Sequence, residues 1–216
     1  MKQKHDVRVN RDLLHPLLNY YLDKLLEKCA KAGIYLIITE GFRTVEYQDS
    51  LYAKGRTTSG SIVTNAKGIT YSSQHQWGIA FDIAINDTQL LYNEKKIAEV
   101  AKIAKKIGLK WGGDWKSIKD TPHFYLGTWG STTTDLKLKY GTPGKFKATW
   151  TKKIKGTKNG LSIWNTTHTK IIKKNVPNGE IVNILHKAKK PINLGFYKVE
   201  YKGTVGIMNG KYLSGV

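Results

Sequence analysis

The sequence of 216 residues holds 36 lysines and arginines against 16 aspartates and glutamates, a formal net charge of +20, and 40% of its residues are hydrophobic. Such a chain can bury one large or two modest cores, but its single cysteine, Cys29, excludes an internal disulfide. No apolar run reaches membrane-spanning length, and the charged N-terminus lacks the apolar core of a secretory signal. We therefore expect a protein that accumulates in the cytoplasm of the cell that makes it and does not insert into membranes; its oligomeric state stays open, with a monomer favoured.

The charge is unevenly distributed along the chain. Residues 1–140 hold 21 basic and 14 acidic side chains, whereas residues 141–216 hold 15 basic and 2 acidic ones. Every basic residue of the second stretch is lysine, which attracts anions diffusely and lacks the planar, bidentate hydrogen bonding of arginine. This excess predicts attraction to an anionic polymer or surface, and not base-specific recognition of nucleic acid.

Hydrophobic periodicity in the first 140 residues predicts mixed helices and strands. Apolar residues at three- and four-residue steps predict an amphipathic helix over residues 12–32. Residues 78–85 alternate, so Asp82 lies on a face of small residues, opposite the apolar side chains. This order of elements indicates an α+β domain. The other predicted elements are a strand at 34–39, a helix from 44 to 55, a long loop at 56–73, a helix from 93 to 108 and a strand at 122–126.

The chain changes character after residue 140. Gly141-Thr-Pro-Gly144 marks the start of a linker, which we place at residues 141–150. Short strand-like runs follow, separated by turns such as Pro177-Asn-Gly179. They predict a separate, small all-β domain over residues 151–216, with residues 1–140 forming the catalytic domain.

Two histidines and one aspartate form the strongest chemical signal. They lie in Ser73-Gln-His75-Gln-Trp-Gly78-Ile-Ala80-Phe-Asp82 and in Asp120-Thr-Pro-His123. A catalytic zinc needs three protein ligands and an open fourth position, and the one cysteine belongs to a predicted helix core. His75, Asp82 and His123 supply the ligand set, so we expect one zinc ion.

Two further residues are candidates for catalysis. Asp120, three residues before His123 and held by the rigid Thr121-Pro122 step, is the carboxylate best placed to act as general base and then acid. Arg43, which follows a predicted buried strand, is the candidate cation for stabilising a carbonyl oxygen that gains negative charge.

Each candidate also has a purely structural alternative. Either histidine alone is more simply read as structural, and Arg43 could pair with Glu46 or Asp49 on the surface. Asp114 could support a metal ligand or simply form a turn. Trp77, Trp111 and Trp115 could line a substrate cleft or pack in the core. The spacing of the two histidines with Asp82 and Asp120 favours the metal site.

The motifs together resemble the VanY-type zinc peptidases, and within them the L-alanyl-D-glutamate endopeptidases of phage endolysins. The resemblance covers residues 30–126 and implies His75, Asp82 and His123 as zinc ligands, a catalytic Asp120 and an oxyanion-stabilising Arg43. It also implies substrate contacts at Ser73, Gln48 and Trp115. Related D-alanyl-D-alanine peptidases carry glutamate in place of Asp120, which favours the endopeptidase branch. The motifs that carry the resemblance are Gly41-Phe-Arg43-Thr, Gln48, Leu51-Tyr-Ala-Lys-Gly-Arg56, Ser73 to Asp82, Trp111-Gly-Gly-Asp-Trp115 and Asp120 to His123.

The second domain resembles bacterial SH3 domains, which implies a small barrel that binds cell wall. The resemblance rests on short motifs, with Phe196 in place of a usual tryptophan and Trp164-Asn165 in place of a more common basic position. The motifs are Gly160-Leu-Ser-Ile163, Val176-Pro-Asn-Gly179-Glu, residues 181–185, Gly195-Phe-Tyr-Lys-Val199 and residues 210–213.

These features are consistent with three functions. The first is a phage-type endolysin that hydrolyses the L-alanyl-D-glutamate bond of peptidoglycan, lyses the host, and binds peptidoglycan and anionic wall polymers. The second is a D-alanyl-D-alanine carboxypeptidase. The third is a non-enzymatic binder of wall or nucleic acid in which the histidines are structural.

Overall fold

The computed structural model describes residues 9–187 and 195–216, and the chain divides into two compact units, Met1–Pro143 and Gly144–Val216. The first unit is a mixture of helices and strands, and the second consists mainly of strands. The predicted α+β character of the first unit is therefore confirmed. The helices are α1 (Pro16–Lys31), α2 (Val45–Ala53), α3 (Glu94–Ile107), α4 (Thr134–Tyr140) and α5 (Pro143–Lys147). No helix in the described part of the chain is long and apolar enough to cross a membrane.

The first helix begins four residues later than predicted. Pro16 occupies its first turn, and the side chain of His15 accepts a hydrogen bond from the amide of Leu17. Proline at this position costs no helical hydrogen bond, and the capping acceptor satisfies an amide that has no partner within the helix. Residues 11–13 form a separate 3₁₀ turn instead of extending the helix.

The first unit contains an antiparallel sheet of four strands. They are β1 (Leu36–Glu40), β2 (Ala80–Ile85), β3 (Lys110–Trp111) and β4 (His123–Tyr125), in the order β1-β2-β4-β3. On one face Phe81 stacks on Phe124, with 5.9 Å between ring centroids, and both are fully buried. Helices α1 and α3 contact each other, and α3 contacts β2. Burial of a large apolar side chain stabilises the fold by about 1.5–3 kcal/mol. This apolar face of the sheet therefore forms part of the hydrophobic core.

The opposite face of the same sheet carries polar residues. Asp82 on β2 lies directly across from His123 on β4, and Glu40 on β1 lies across from Asp82. Side chains of directly paired residues point to the same face of a sheet. The predicted alternation of β2 is confirmed, and it separates a functional face from the core.

The second unit contains an antiparallel sheet of seven strands around a core of its own. Buried residues include Ile154, Ile163, Val182, Val199 and Met208. Among the described residues, no pairing joins the two outer strands of the order β11-β5-β8-β9-β10-β6-β7, so the predicted closed, SH3-like barrel is not confirmed. The strands are β5 (Thr151–Ile154), β6 (Leu161–Trp164), β7 (Ile171–Val176), β8 (Ile181–Lys187), β9 (Phe196–Tyr201), β10 (Thr204–Asn209) and β11 (Leu213–Ser214).

Candidate metal centre

The three predicted ligands come together at one point on the polar face of the first sheet. His75 Nε2 lies 3.3 Å from Asp82 Oδ1, and His123 Nδ1 lies 2.9 Å from the same oxygen. One donor atom from each residue lies within 4.8 Å of the others. His75 and His123 are buried, and Asp82 is nearly so.

Strand register explains how residues so distant in sequence meet. Asp82 and His123 are direct cross-strand partners on β2 and β4. His75 lies on a short 3₁₀ helix, Gln74–Trp77, that leads into β2. The loop after β1 is joined to this helix, because the amide of Arg43 donates to the carbonyl of His75 at 3.4 Å. The site is therefore assembled by the sheet together with two loops.

Hydrogen bonds on the far side of each imidazole fix its orientation. His75 Nδ1 lies 2.7 Å from the carbonyl oxygen of Gly41, which only a protonated nitrogen can contact favourably. His123 Nε2 lies 2.8 Å from Oε1 of Gln74, a buried residue. In the metal-binding form of each ring, that nitrogen would carry the hydrogen and the other nitrogen, on the side of Asp82, would offer its lone pair to the ion.

Burial and charge favour the protonation states that a metal requires. Burial lowers the pKa of His75, although the charge of Asp82 opposes this, so the imidazole stays neutral. Burial alone would raise the pKa of Asp82, but His75 and His123 together bring it well below its ordinary value. Neutral imidazoles and an ionised carboxylate are the forms that bind metal.

The donor set fits zinc. Two nitrogens and one oxygen are typical of catalytic zinc sites, and bond lengths near 2.0–2.1 Å with tetrahedral angles require donors about 3.3 Å apart. The two donor separations given above, 3.3 and 2.9 Å, lie close to that value. His75 Nε2, Asp82 Oδ1 and His123 Nδ1 would thus hold the ion.

Asp120 lies in the turn that leads into β4. The amide of His123 donates to the carbonyl of Asp120 at 3.3 Å, and the amide of Asp120 donates to the carbonyl of Gly112 at 3.2 Å. Burial, and next the charge of Asp82, raise the pKa of Asp120. A Cβ atom on Gly112 would lie 2.5 Å from the carbonyl oxygen of Asp120, so only glycine lets these two backbone segments approach so closely.

Arg43 lies between two carboxylates and not on the open surface. Its Nε lies 3.5 Å from Glu40 Oε2, and its terminal nitrogen lies 3.6 Å from Asp82 Oδ2. The side chain of Arg43 is only 15% exposed, so these ion pairs are less screened than surface pairs. Arg43 therefore pairs with Glu40 and Asp82, and not with Glu46 or Asp49.

The three predicted substrate contacts occupy different surroundings. Gln48 is fully buried, and its amide nitrogen donates to Thr64 Oγ1 at 3.1 Å and to the carbonyl of Ala66 at 2.9 Å. Ser73 is half-buried and precedes the 3₁₀ helix that carries His75. Trp115 lies beside the ligands, with its ring centroid 5.1 Å from that of His123. Their roles in substrate binding stay predictions.

Trp77 and Trp111, the other two candidates for lining a substrate cleft, differ in burial. Trp77 is 1% exposed and donates to the carbonyl of Tyr71, which identifies it as a core residue. Trp111 is half-buried, and its Nε1 donates to the carbonyl of Thr121 in the turn that carries Asp120. Asp114 pairs with Lys105 at the surface.

Three contributors to the centre were missed by the sequence reasoning. Gln74 orients His123, Glu40 pairs with Arg43, and Gly112 holds the turn of Asp120. Gln74 lies within the recognised motif Ser73 to Asp82, and Glu40 lies next to the motif that contains Arg43, so their position was the available signal. Their roles depend on side-chain contacts between segments that the sequence alone does not bring together.

Comparison with known proteins places the centre in a family. A family profile described as D-alanyl-D-alanine carboxypeptidase matches residues 67–126, which include the three ligands and Asp120. The peptidoglycan L-alanyl-D-glutamate endopeptidase CwlK of Bacillus subtilis is 41% identical over 132 residues, covering 56% of this chain and 77% of that protein. The chain belongs to the peptidase M15 family. It is a zinc metallopeptidase, so the hypothesis of a non-enzymatic binder is wrong.

A second relative of this M15 peptidase is the L-alanyl-D-glutamate peptidase of Listeria phage A118. It is 30% identical over 104 residues, which cover 46% of this chain and 33% of the phage protein. The two matches thus differ in the share of the relative that they span.

Solved structures also align with the M15 peptidase chain. The Serratia marcescens L-Ala D-Glu endopeptidase ChiX aligns with a TM-score of 0.42 and 22% identity, over 54% of this chain and 83% of that one. The vancomycin-resistance D,D-pentapeptidase VanY aligns with a TM-score of 0.41 and 20% identity, over 52% and 72%. At these scores the structural likeness supports no argument about function.

Proposed function

We propose that the protein is a peptidoglycan hydrolase that cuts the L-alanyl-D-glutamate bond of stem peptides. The observation that carries the proposal is the cross-strand pair of Asp82 and His123, joined by His75 and flanked by Asp120 and Arg43. That arrangement suits hydrolysis of an amide. The bond specificity is supported by the names of two relatives, both L-alanyl-D-glutamate peptidases.

The metal and the residues around it have different roles in the reaction. Zinc, when bound, supplies a Lewis acid that polarises the scissile carbonyl and acidifies water. The Asp120 carboxylate takes a proton from the attacking water and later delivers it to the nitrogen of the leaving amine. Its raised pKa, caused by burial and by the charge of Asp82, brings the carboxyl group closer to the range in which it can do both.

Arg43 is assigned to the developing negative charge. Its guanidinium is largely shielded from solvent and lies at the edge of the ligand set, 3.6 Å from Asp82 Oδ2. In such a low-dielectric position a fixed cation stabilises an oxyanion more strongly than it would in water. Glu40 also pairs with the guanidinium, with 3.5 Å between Nε of Arg43 and Oε2 of Glu40, and this second ion pair restrains it.

The finer proposal is an endolysin whose second unit binds the wall through an SH3-like fold. Its support is charge: the second unit contains only two carboxylates, and both make internal contacts. Glu180 accepts from Tyr201, and Glu200 accepts from Asn183. Most of the lysine charge of this unit is therefore not compensated, which favours attraction to anionic wall polymers.

A carboxypeptidase acting on D-alanyl-D-alanine is the second candidate, favoured by the description of the family profile. Purified cell walls incubated with the protein and analysed by mass spectrometry separate the two. New N-terminal D-glutamate supports the endopeptidase, whereas release of terminal D-alanine alone supports the carboxypeptidase.

Two controls make the digestion specific. Cleavage should stop with a chelator, return with added zinc, and be absent in His75→Ala. The inactive His75→Ala chain should also sediment with walls, and its binding should weaken in salt and after removal of anionic wall polymers. Unchanged binding to stripped walls would contradict the role given to the second unit.

A further inference from the structure

A cavity of about 430 Å³ lies beside the metal centre, on the β3 side of the sheet. Trp115 and Tyr125 form part of its lining, together with Lys110 and Lys116. Trp115 also lies against His123, with 5.1 Å between ring centroids, and its Nε1 donates to the hydroxyl of Tyr125 at 3.1 Å. The metal centre and the cavity therefore share a wall.

The sheet places Lys110 on the same face as the metal ligands. Tyr125 pairs with Ala80 on β2 and with Lys110 on β3, so these three side chains form one cross-strand row. Asp82 and His123 form the next row on that face, two residues further along. With about 3.4 Å per residue and 4.8 Å between strands, the Cα atoms of Lys110 and His123 lie about 8 Å apart. The row of Lys110 and the row of the metal ligands are therefore neighbours on one face of the sheet.

The cavity is positively charged. Its one carboxylate, Asp114, is held by Lys105, whose Nζ lies 3.1 Å from both carboxylate oxygens. Neither Lys110 nor Lys116 forms an ion pair with any residue in the described ranges 9–187 and 195–216. Two lysine charges thus remain uncompensated around a space that adjoins the reaction centre.

Lys110 is also held in place. A Cβ atom on Gly127 would lie 2.5 Å from Cγ of Lys110, so the aliphatic part of the lysine rests directly on the glycine backbone. Restricting this stem reduces the rotamer entropy that the side chain would lose when its ammonium group binds a ligand.

We infer that this cavity binds a free carboxylate of the substrate, with Lys110 and Lys116 as its counter-charges. The inference rests on the proposed function, because D-glutamate linked through its side chain keeps a free α-carboxylate next to the bond that is cut. Trp115, which lines the cavity and lies against His123, brings the cavity next to a scissile carbonyl held at the metal ligands. The cavity would therefore select D-glutamate over its amide, D-isoglutamine.

A matched pair of soluble peptides tests the selection. L-Ala-γ-D-Glu-L-Lys carries the carboxylate, and L-Ala-D-isoGln-L-Lys replaces it by a neutral amide. We expect the wild-type chain to cut the acid with a kcat/KM about two- to fivefold higher, the ratio that one partly screened charge pair provides. In the double variant Lys110→Gln, Lys116→Gln this preference should disappear, while cleavage of the amide peptide is retained.

Control variants distinguish the effect of the two cavity lysines from the effect of removing any positive charge. Lys96→Gln removes an exposed lysine that pairs with Glu99 on α3 and should retain the preference for the acid. Lys110→Arg should also retain it. A preference that survives the double variant, or equal cleavage of both peptides by the wild type, overturns the inference and leaves the proposed function intact. If neither peptide is cut, the proposed function fails, and the inference fails with it.

Discussion

His123 Nε2 lies 2.8 Å from Gln74 Oε1, so a residue outside the ligand set determines which ring nitrogen of His123 faces Asp82. When the ring binds metal through Nδ1, which lies 2.9 Å from Asp82 Oδ1, the hydrogen is on Nε2 and Gln74 Oε1 accepts it. Gln74 thus acts as a positioning residue. It influences metal binding through the orientation of the imidazole.

Replacing Gln74 should therefore weaken zinc binding without removing a ligand. In Gln74→Leu we expect zinc affinity to fall about 10- to 100-fold, the usual effect of losing a hydrogen bond to a ligand histidine. Gln74→Glu, which keeps an acceptor, should retain most of the affinity. Competition with a fluorescent chelator measures the change directly.

The matched control for Gln74 is Gln76, a second buried glutamine on the same 3₁₀ helix. Its Nε2 donates to the carbonyl of Gly68 at 2.8 Å, away from the ligands. Gln76→Leu should lower the unfolding free energy but leave zinc affinity near that of the wild type. Equal losses of zinc affinity in both leucine variants would mean that Gln74 has only a general structural role.

Replacement of Asp120 should leave metal binding intact and lower turnover. Asp120→Asn keeps the shape of the turn but cannot take a proton, so we expect one bound zinc per chain and a fall in kcat of about 10²- to 10⁴-fold. Glu99→Gln, which removes an exposed carboxylate paired with Lys96 on α3, serves as the control and should retain kcat. Elemental analysis and digestion of purified walls provide the two readouts. Normal clearing of walls by Asp120→Asn would refute its role as the base.

The backbone contact between Gly112 and Asp120 should be sensitive to one methyl group. In Gly112→Ala the new Cβ would meet the carbonyl oxygen of Asp120 at 2.5 Å and the Cβ of His123 at 3.1 Å. Relief of this clash moves the turn, and a displacement of about 1 Å at a catalytic group can lower kcat about 10²-fold. Thermal unfolding together with kcat on folded protein measures both effects.

A glycine in open surroundings provides the comparison for Gly112. Gly33 has φ +72°, and a Cβ there would meet nothing within 4 Å. Gly33→Ala should therefore cost about 1–2 kcal/mol of stability through its left-handed backbone, and it should leave kcat unchanged. If the two alanine variants lose activity equally, the contact with Asp120 is not the cause.

The candidate ligands could be predicted from the sequence because the evidence for them is local. Asp82 lies in an alternating strand, and His75 and His123 lie in short motifs whose residue types suit zinc. The partners of Arg43 were not predicted, because Glu40 and Asp82 become neighbours only through the pairing of β1 with β2. Residue type can indicate a metal site, whereas the contacts that hold it depend on register.

The second unit illustrates the same limit. Turn residues and β-branched runs were sufficient to predict a small all-β region. They do not determine which strands become neighbours, and the observed order places β5 next to β8 and β6 next to β10. Closure of a sheet depends on such non-local pairings, and short motifs carry no information about them.

Protonation of His15 should make the stability of the first unit depend on pH. His15 is 6% exposed, and its Nδ1 accepts the amide hydrogen bond of Leu17 at the start of α1. Burial lowers the pKa of His15 from 6.5 to about 3. A lowered pKa means that the folded state binds the proton less well than the unfolded state. The contribution of His15 is therefore complete above pH 6.5 and is lost as the pH falls toward 3.

The size of this effect at pH 5 follows from the two pKa values and is about 2 kcal/mol relative to neutral pH. His15→Asn keeps a capping acceptor but cannot take up a proton, so its stability should change less between pH 7.5 and pH 5. Urea unfolding of both chains at the two pH values measures the difference. Because Asp82 and the other titrating groups are common to both, their contributions cancel when the curves are subtracted. Parallel curves for the two chains would show that His15 does not couple proton binding to folding.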